Sequence, residues 1–197
     1  MRHLIVVAHP AEDSFTMALA RAYAAEVEKL GHSHRMHDLY RLDFDPVLAA
    51  HELAPAPNQA ASSDVAWAQE DMRAADVLCV VYPLWWLAMP AMMKGYIDRV
   101  FAQGFAFDLV DEQVQGLLAG KRAILITLSG ASLPVLQQDG GWGALQLLQD
   151  SHVFRATGFE ILEHLHCDAI TPTLAQSIAQ EHLARVAACV QRHFGAS

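Results

Sequence analysis

The chain has 197 residues, of which 53% are hydrophobic and 18% are charged, and its formal net charge is −9. This length suits a single domain over residues 1–197, and no apolar run approaches the roughly 20 residues that span a bilayer, so we expect a cytoplasmic protein without a membrane span. The acidic balance argues against a nucleic-acid partner, because such partners are bound through clusters of Lys and Arg.

The opening of the chain predicts a strand, a helix and a second strand. Residues 4–8 form a β-branched run between polar residues, as in a strand buried on both faces of a parallel sheet. Apolar residues then recur every three or four positions over residues 14–30, and Gly31 marks the end of this amphipathic helix. Residues 34–39 have a weaker strand pattern.

The middle of the chain begins with a polar stretch that contains Pro46, Pro55 and Pro57 and predicts a surface loop with at most a short helix. Residues 64–75 have helical composition. Residues 77–82 are the second strongly apolar run, and they predict a strand that the next proline ends.

The following elements alternate in the same way. Pro90 is well placed in the first turn of a helix that Gly104 ends, and residues 123–128 predict a third strongly apolar strand. A helix at residues 142–156 and a strand at residues 160–165 come next.

The last predicted helix begins near Leu174, where Thr173 and Gln176 have the spacing of a capping box. Five strands separated by helices require right-handed crossovers and a doubly wound parallel sheet. We therefore predict an α/β fold with the flavodoxin-like strand order 2-1-3-4-5, in which ligands bind at the carboxyl ends of the strands. The loops after the first, third and fourth strands form the candidate site.

The first of these loops leads directly into a helix. The leading N–H groups of that helix have no intrahelical partner and suit an anion. The hydroxyls of Ser14 and Thr16 and the ring of His9 would add hydrogen bonds to a phosphate, although no G-x-G-x-x-G fingerprint is present. The alternative is that Ser14 is an ordinary N-cap, worth roughly 1 kcal/mol, and that His9 merely ends the strand.

The second loop places two adjacent tryptophans, Trp85 and Trp86, between Pro83 and Pro90. Neighbouring side chains in an extended segment point opposite ways, so both indoles cannot enter the core. We expect at least one of them to offer a flat apolar wall to a planar ligand such as an isoalloxazine ring. The alternative is that both indoles pack against a dimer partner.

The third loop, residues 127–132, offers small residues and hydroxyls that would let a backbone approach a ring edge. Further along, Gly140, Gly141 and Trp142 predict a mobile flap with an aromatic tip, or else a flexible start of a helix.

Eleven histidines invite a metal interpretation, but we predict no metal site. His32 and His34 share one side of an extended segment, and no carboxylate or Cys completes a site beside them. His164 and His166 could equally line the solvent face of a strand. The three cysteines are too far apart for a C-x-x-C pair and suit a reducing compartment.

Several short motifs occur in one order over nearly the whole chain. They are His9-x-x-x-x-Ser14-Phe15, Asp38-Leu39-Tyr40, Phe44-x-Pro46, Pro83-Leu84-x-Trp86, Lys94-Gly95-x-x-Asp98-Arg99 and Gly158-Phe159-Glu160. Each motif is weak alone, but together they are specific, and the chain resembles the NAD(P)H:quinone oxidoreductases of the DT-diaphorase type.

This resemblance implies a homodimer with a flavin at each subunit boundary and ping-pong hydride transfer from NAD(P)H through the flavin to a quinone-like acceptor. The family positions that hold the phosphate side match His9, Ser14, Phe15 and Thr16. Those that flank the ring match Pro83, Leu84, Trp85, Trp86 and Leu87, and those that bond its polar edge match Thr127, Ser129 and Gly130. We favour FMN over FAD, because little chain remains to enclose an adenosine.

The chain also departs from the family. A Tyr and a His proposed to relay charge in DT-diaphorase are not matched, since Val135 and a glycine-rich stretch from Asp139 stand there. The catalytic residues, the proton donor, the acceptor and the choice of NADH or NADPH stay open. Two other functions also stay open: a flavodoxin-like electron carrier, which should be a monomer, and a flavin-binding ancillary subunit of a potassium-efflux transporter.

Overall fold

The computed structural model describes residues 1–53 and 61–195. Within this part of the chain seven strands are present, five of them in one parallel sheet and two in a separate hairpin. The strands are β1 (Arg2–Val7), β2 (Ser33–Asp38), β3 (Val77–Pro83), β4 (Phe107–Val110), β5 (Gln113–Gly116), β6 (Arg122–Leu128) and β7 (Glu160–Cys167). All five sheet strands overlap the predicted ones.

Seven α-helices and one π-helix surround the sheet in the described residues. They are α1 (Phe15–Lys29), α2 (Ala50–Leu53), α3 (Ser63–Ala74), α4 (Ala91–Val100), α5 (Leu133–Gln138), α6 (Gly141–Leu145), the π-helix (Gln146–Arg155) and α7 (Gln176–Phe194). The predicted loop residues Pro55 and Pro57 lie outside the described residues.

The parallel α/β class is confirmed, but the predicted strand order 2-1-3-4-5 needs correction. Numbered along the chain, the sheet runs β2-β1-β3-β6-β7, because the hairpin of β4 and β5 comes between the third and fourth strands of the sheet. The sequence pattern does not reveal this hairpin, since its half-exposed strands carry no continuous apolar run. Asp111 and Glu112 form its two-residue turn, with φ 51° and 63°.

Two separate cores cover the two faces of the sheet. One face packs against α1 and α7 around side chains such as Tyr23 and Val186. The other face packs against α3, α4 and the π-helix around Met72, Met93 and Phe154. Because every sheet strand but β2 and β7 has neighbours on both sides, β1, β3 and β6 are almost completely buried, as their apolar runs predicted.

Three helix boundaries differ from the prediction. Pro90 is the N-cap of α4 and not a residue of its first turn. The capping box at Thr173 is wrong, because α7 begins at Gln176 after the N-cap Ala175, which makes no side-chain capping bond. The helix predicted at residues 142–156 is split into α6 and a π-helix, a rare geometry that apolar periodicity does not reveal.

None of the helices in the described residues is both long enough and apolar enough to cross a bilayer.

Candidate active site

Four loops at the carboxyl edge of the sheet enclose a cavity of about 820 Å³. They follow β1, β3, β6 and β7, whose parallel pairing brings their ends to one edge. A volume of this size is typical of a small-molecule site. Nine of the twelve residues predicted for the site line this cavity: His9, Ser14, Phe15, Thr16, Pro83, Leu84, Trp85, Ser129 and Gly130.

The amino end of α1 opens into the cavity at Ser14 and Phe15. Ser14 is the N-cap, with φ −67° and ψ 157°, and its Oγ accepts a hydrogen bond from the backbone N–H of Met17 at 3.3 Å. This bond uses only the oxygen as acceptor, so the hydroxyl proton of Ser14 remains available as a donor. The N-cap role and an anion-binding role are therefore compatible.

The ring of His9 stands between the first and second loops. Its Nδ1 lies 3.1 Å from the backbone nitrogen of Ala11 and 3.3 Å from the Ala11 carbonyl oxygen, so both of these contacts use the same ring nitrogen. Its centroid lies 6.1 Å from that of Trp85. Arg41, just beyond β2, holds the loop by donating to the carbonyl oxygens of His9 at 3.1 Å and Pro10 at 2.7 Å.

The second loop is a tight turn between Trp85 and Ala88, whose backbone groups exchange two hydrogen bonds of 3.1 Å. Trp86 and Leu87 at its tip both have φ 56°, a type I′ geometry that usually requires Asn or Gly. Trp85 lines the cavity, whereas Trp86 is 100% exposed and Leu87 is 41% exposed. Within one chain, Trp86 and Leu87 therefore lie outside the cavity.

The third loop brings Ser129 and Gly130 to the cavity but not Thr127. Thr127 is completely buried in β6, and its hydroxyl contacts two histidine rings. That these twelve predicted residues contact a flavin stays a prediction.

The fourth loop, after β7, was missed by the sequence analysis. Ile170, Thr171 and Pro172 line the cavity, and the Ile170 N–H donates to the Ser129 carbonyl at 2.9 Å. The signal was available, because β7 was a predicted strand of the sheet and its carboxyl end had to reach the same edge.

A line of hydrogen bonds runs from Ser129 into the interior through four side chains, which we call the Ser129–Asp150 line. His166 Nε2 lies 2.9 Å from Ser129 Oγ, and His166 Nδ1 lies 2.9 Å from Thr127 Oγ1. Thr127 Oγ1 is 2.8 Å from His164 Nε2, and His164 Nδ1 is 2.9 Å from Asp150 Oδ1. The alternative that both histidines line a solvent face is wrong, because His166 and the side chain of His164 are each 3% exposed.

The predicted glycine-rich flap is instead the start of a helix that covers this line. Gly140 is the N-cap of α6, with φ 80°. The ring of Trp142 packs 4.9 Å from that of His164 and 5.0 Å from that of His166. The π-helix that follows α6 carries Asp150, and π-helical turns are frequent at functional sites.

The electrostatics of the line are set by its burial. Burial, and after it the neighbouring His164, lower the pKa of His166 to about 4. His166 is therefore neutral at physiological pH, with one ring nitrogen acting as donor and the other as acceptor. Around it, Asp168 raises the pKa, while Arg185 and His182 lower it.

One cluster in the described residues has the donor types of a metal site: Glu163, Cys189 and His193. Glu163 already accepts hydrogen bonds from Arg192 at 2.7 Å and His193 at 2.8 Å. Burial raises the pKa of Cys189 to about 12, so its sulfur stays a protonated thiol, a poor ligand. We assign no metal to this cluster.

The fold and the cavity define a flavodoxin-like α/β domain with a ligand site at the carboxyl edge of its sheet. The sequence pattern of the Flavodoxin_2 family, described as a flavodoxin-like fold, matches residues 1–190. The chain belongs to this family, and its predicted resemblance to NAD(P)H:quinone oxidoreductases is confirmed.

Two relatives and one solved structure illustrate the similarity. The chain is 29% identical to an uncharacterized NAD(P)H oxidoreductase of Haemophilus influenzae, over 97% of this chain and 98% of that protein. It is 31% identical to a ribosyldihydronicotinamide dehydrogenase [quinone] of Mus musculus, over 70% of this chain and 67% of that protein. An NAD(P)H:quinone oxidoreductase from Methanothermobacter marburgensis shares the fold, with a TM-score of 0.85 over 98% of both chains at 23% identity.

Proposed function

We propose that this chain is a flavin-dependent NAD(P)H:quinone oxidoreductase that binds its flavin in the cavity at the carboxyl edge of the sheet. One observation carries the proposal. The amino end of a long helix, an indole face and a loop of small polar residues line the same cavity. These are the three surfaces that a phosphorylated planar ring requires.

The donors of this cavity fit a flavin at both ends. The unpaired N–H groups of the first turn of α1, the Ser14 hydroxyl and the His9 ring suit a phosphate. Trp85 offers an apolar face, and Leu84 packs beside it with 9% exposure. Gly130 leaves room for a polar ring edge, because even a Cβ there would meet only the Ile170 carbonyl oxygen at 3.5 Å.

The flavin, when bound, accepts a hydride from NAD(P)H and passes it to the acceptor. The chain's own residues bind and orient it. The start of α1 and Ser14 hold the phosphate, Trp85 and Leu84 support the ring and exclude water from it, and Ser129 borders the cavity beside the ring edge. Because the cavity is open at the sheet edge, reduced nucleotide and quinone would occupy it in turn, which is a ping-pong scheme.

We propose FMN as the flavin, since the lining supplies contacts for one phosphate and one planar ring, which is the composition of FMN. We also propose a single cytoplasmic domain that works as a homodimer. The exposed side chains of Trp86 and Leu87, in the same loop as the cavity-lining Trp85, support this, because apolar side chains next to a site often mark an interface. A second copy covering Trp86 would place this indole at the boundary of the cavity.

The test is a titration of the purified protein with FMN and FAD, followed by anaerobic mixing with NADH or NADPH and then with a soluble naphthoquinone. We expect flavin binding, bleaching of the flavin absorbance by the nucleotide and its return with the quinone. A protein that binds neither flavin, or a bound flavin that the nucleotide leaves oxidised, contradicts the proposal. Gel filtration separates the dimeric reductase from a monomeric carrier.

A pair of variants tests the position of the ring. Trp85→Leu should weaken flavin binding by about threefold to tenfold, the usual worth of an aromatic contact beyond its buried area. Trp67→Leu is the matched control, because Trp67 stacks on His37 at 4.1 Å and does not line the cavity. Equal effects of both changes would show that Trp85 acts through stability alone.

A further inference from the structure

In the Ser129–Asp150 line, the number of hydrogen-bond donors and acceptors on each group determines which partner donates in each bond. The Ser129 hydroxyl lies 2.7 Å from the Ala131 carbonyl oxygen, which can only accept, so this hydroxyl donates there. Ser129 Oγ therefore accepts from His166 Nε2–H. Neutral His166 then has a bare Nδ1, which accepts from the Thr127 hydroxyl.

The same count of donors and acceptors applies to the inner end of the line, which is formed by His164 and Asp150. Since the Thr127 hydroxyl donates to His166, its oxygen accepts from His164 Nε2–H. His164 Nδ1 faces Asp150 Oδ1 at 2.9 Å, and this contact also needs a proton. The His164–Asp150 pair therefore holds two protons, one on His164 Nε2 and one between His164 Nδ1 and Asp150 Oδ1.

The line has a second arrangement with one proton fewer. If His164 loses its Nε2 proton, each partner can turn round: Thr127 donates to His164, His166 donates from Nδ1 to Thr127, and Ser129 donates to His166 Nε2. Every bond of the line is kept, and only the bond from Ser129 to Ala131 is lost. The two arrangements differ by one proton, and Ser129 is the member of the line that borders the cavity.

We propose that Asp150, His164, Thr127, His166 and Ser129 form a proton relay that stores one proton on the His164–Asp150 pair and delivers it to the substrate through the Ser129 hydroxyl. This inference rests on the proposed function. Reduction of a quinone to a hydroquinone consumes two electrons and two protons. The hydride from NAD(P)H supplies both electrons and one proton, so one further proton must come from the protein or from water.

The relay balances this reaction. The Ser129 hydroxyl turns from the Ala131 carbonyl oxygen to a quinone oxygen. Its O–H bond breaks as a new O–H bond forms on the quinone, and Ser129 takes the Nε2 proton of His166. His166 then takes the Thr127 hydroxyl proton on Nδ1, and Thr127 takes the Nε2 proton of His164. The His164–Asp150 pair ends with one proton fewer, the remaining one lying between His164 Nδ1 and Asp150 Oδ1, and the lost proton is restored from water in the open cavity.

The surroundings suit conduction along the line. Trp142 covers both imidazole rings, and Thr127, Asp150 and His166 are at most 3% exposed. Solvent water therefore does not exchange protons with the inner groups of the line. The neutral state of His166 lets it pass a proton without keeping it. The charged or titratable groups that face the line are Asp168, His182 and Arg185 around His166, and Tyr82 near Asp150.

The first test needs no flavin. Nitrogen-15 NMR of the flavin-free protein at pH 7 should show a proton on His164 Nε2 and on His166 Nε2, and none on His166 Nδ1. A His164 Nε2 that carries no proton overturns the proposal. This result is independent of flavin reduction, so it separates failure of the relay from failure of the proposed function.

The second test breaks the line at its centre with Thr127→Val, which keeps the shape of the side chain and removes its hydroxyl. We expect reduction of the flavin by nucleotide to change by less than about twofold, and reoxidation by quinone to slow by about a hundredfold, with loss of its solvent deuterium isotope effect. Thr127→Ser should restore both, because it returns the hydroxyl.

Thr157→Val is the matched control for this variant. Thr157 is also buried, but its hydroxyl donates only to the carbonyl oxygens of Val153 at 2.8 Å and Phe154 at 3.0 Å. It should leave both half-reactions unchanged. If Thr127→Val slows both half-reactions equally, or keeps the isotope effect, the line is structural and the relay is refuted.

Discussion

Gly95 passes so close to Pro46 that a Cβ at position 95 would stand 2.2 Å from the Pro46 carbonyl oxygen and 2.4 Å from its Cβ. Only glycine allows this approach of α4 to the loop after β2. Arg99, one turn further along α4, is 6% exposed and donates to the Asp45 carbonyl at 2.6 Å, so the same loop is held twice. The two motifs that contain Gly95 and Pro46 are distant in sequence, and the fold brings them into contact.

Gly95→Ala should destabilise the protein by about 1–3 kcal/mol, because the added methyl has no space and the backbone of Pro46 must move. Urea unfolding followed by circular dichroism measures this change. Gly143→Ala is the control, since a Cβ at Gly143 in α6 meets nothing within 4 Å. It should be neutral or stabilising, by up to about 1 kcal/mol, through helix propensity. Equal losses for both variants would contradict the steric explanation.

Ser14→Ala should lower stability by about 1 kcal/mol through loss of the N-cap bond to Met17. It should also weaken flavin binding, because the hydroxyl donor to the phosphate disappears. Ser132→Ala is the comparison, since Ser132 occupies the N-cap of α5 without a side-chain capping bond. Thermal melts with and without FMN separate the two effects. A Ser14→Ala protein with unchanged FMN affinity would exclude Ser14 from the phosphate site.

Trp86→Asn should stabilise the isolated chain by about 1 kcal/mol. The φ angle of 56° at position 86 is a left-handed conformation, which strains Trp and which Asn adopts more easily. No burial is lost, since Trp86 is 100% exposed. Trp86→Val should act in the opposite direction, as β-branched residues fit positive φ worst. The measurement is chemical unfolding at low protein concentration. A clear loss of stability with Asn would show that the indole is buried in an interface.

Acid should destabilise the fold between pH 6.5 and about 4 through buried histidines. Burial lowers the pKa of His3 to about 4, helped by its neighbour His32. Below pH 6.5 His3 binds a proton in the unfolded chain but not in the folded protein, so the free energy of unfolding falls as the pH falls. His3→Gln should make this fall shallower by up to about 1.4 kcal/mol per pH unit. Urea unfolding from pH 7 to 4.5 tests it, and parallel curves for both proteins would contradict it.

The elements whose formation depends on burial were predictable from the amino-acid sequence. The runs that became β1, β3 and β6 are apolar on both faces, and only the centre of a parallel sheet accommodates such strands. The periodic helix after Ser14 and the carboxyl-edge rule then located three of the four loops around the cavity. The hairpin of β4 and β5 was not predicted, because its exposed strands are stabilised by a turn and by pairing with each other and have no apolar periodicity.

The roles of the buried polar residues depend on tertiary packing and could not be predicted from the sequence. His164 and His166 alternate along β7 and looked equally suited to a solvent face, but the cover of Trp142 turns that face into interior. Asp150 lies close enough to bond His164 because it is on a π-helix, and the periodicity of apolar residues in the sequence does not predict a π-helix. The buried line of hydrogen bonds requires side chains from β6, β7 and the π-helix to lie within about 3 Å of one another, the length of a hydrogen bond. Such proximity is a property of packing and not of local sequence.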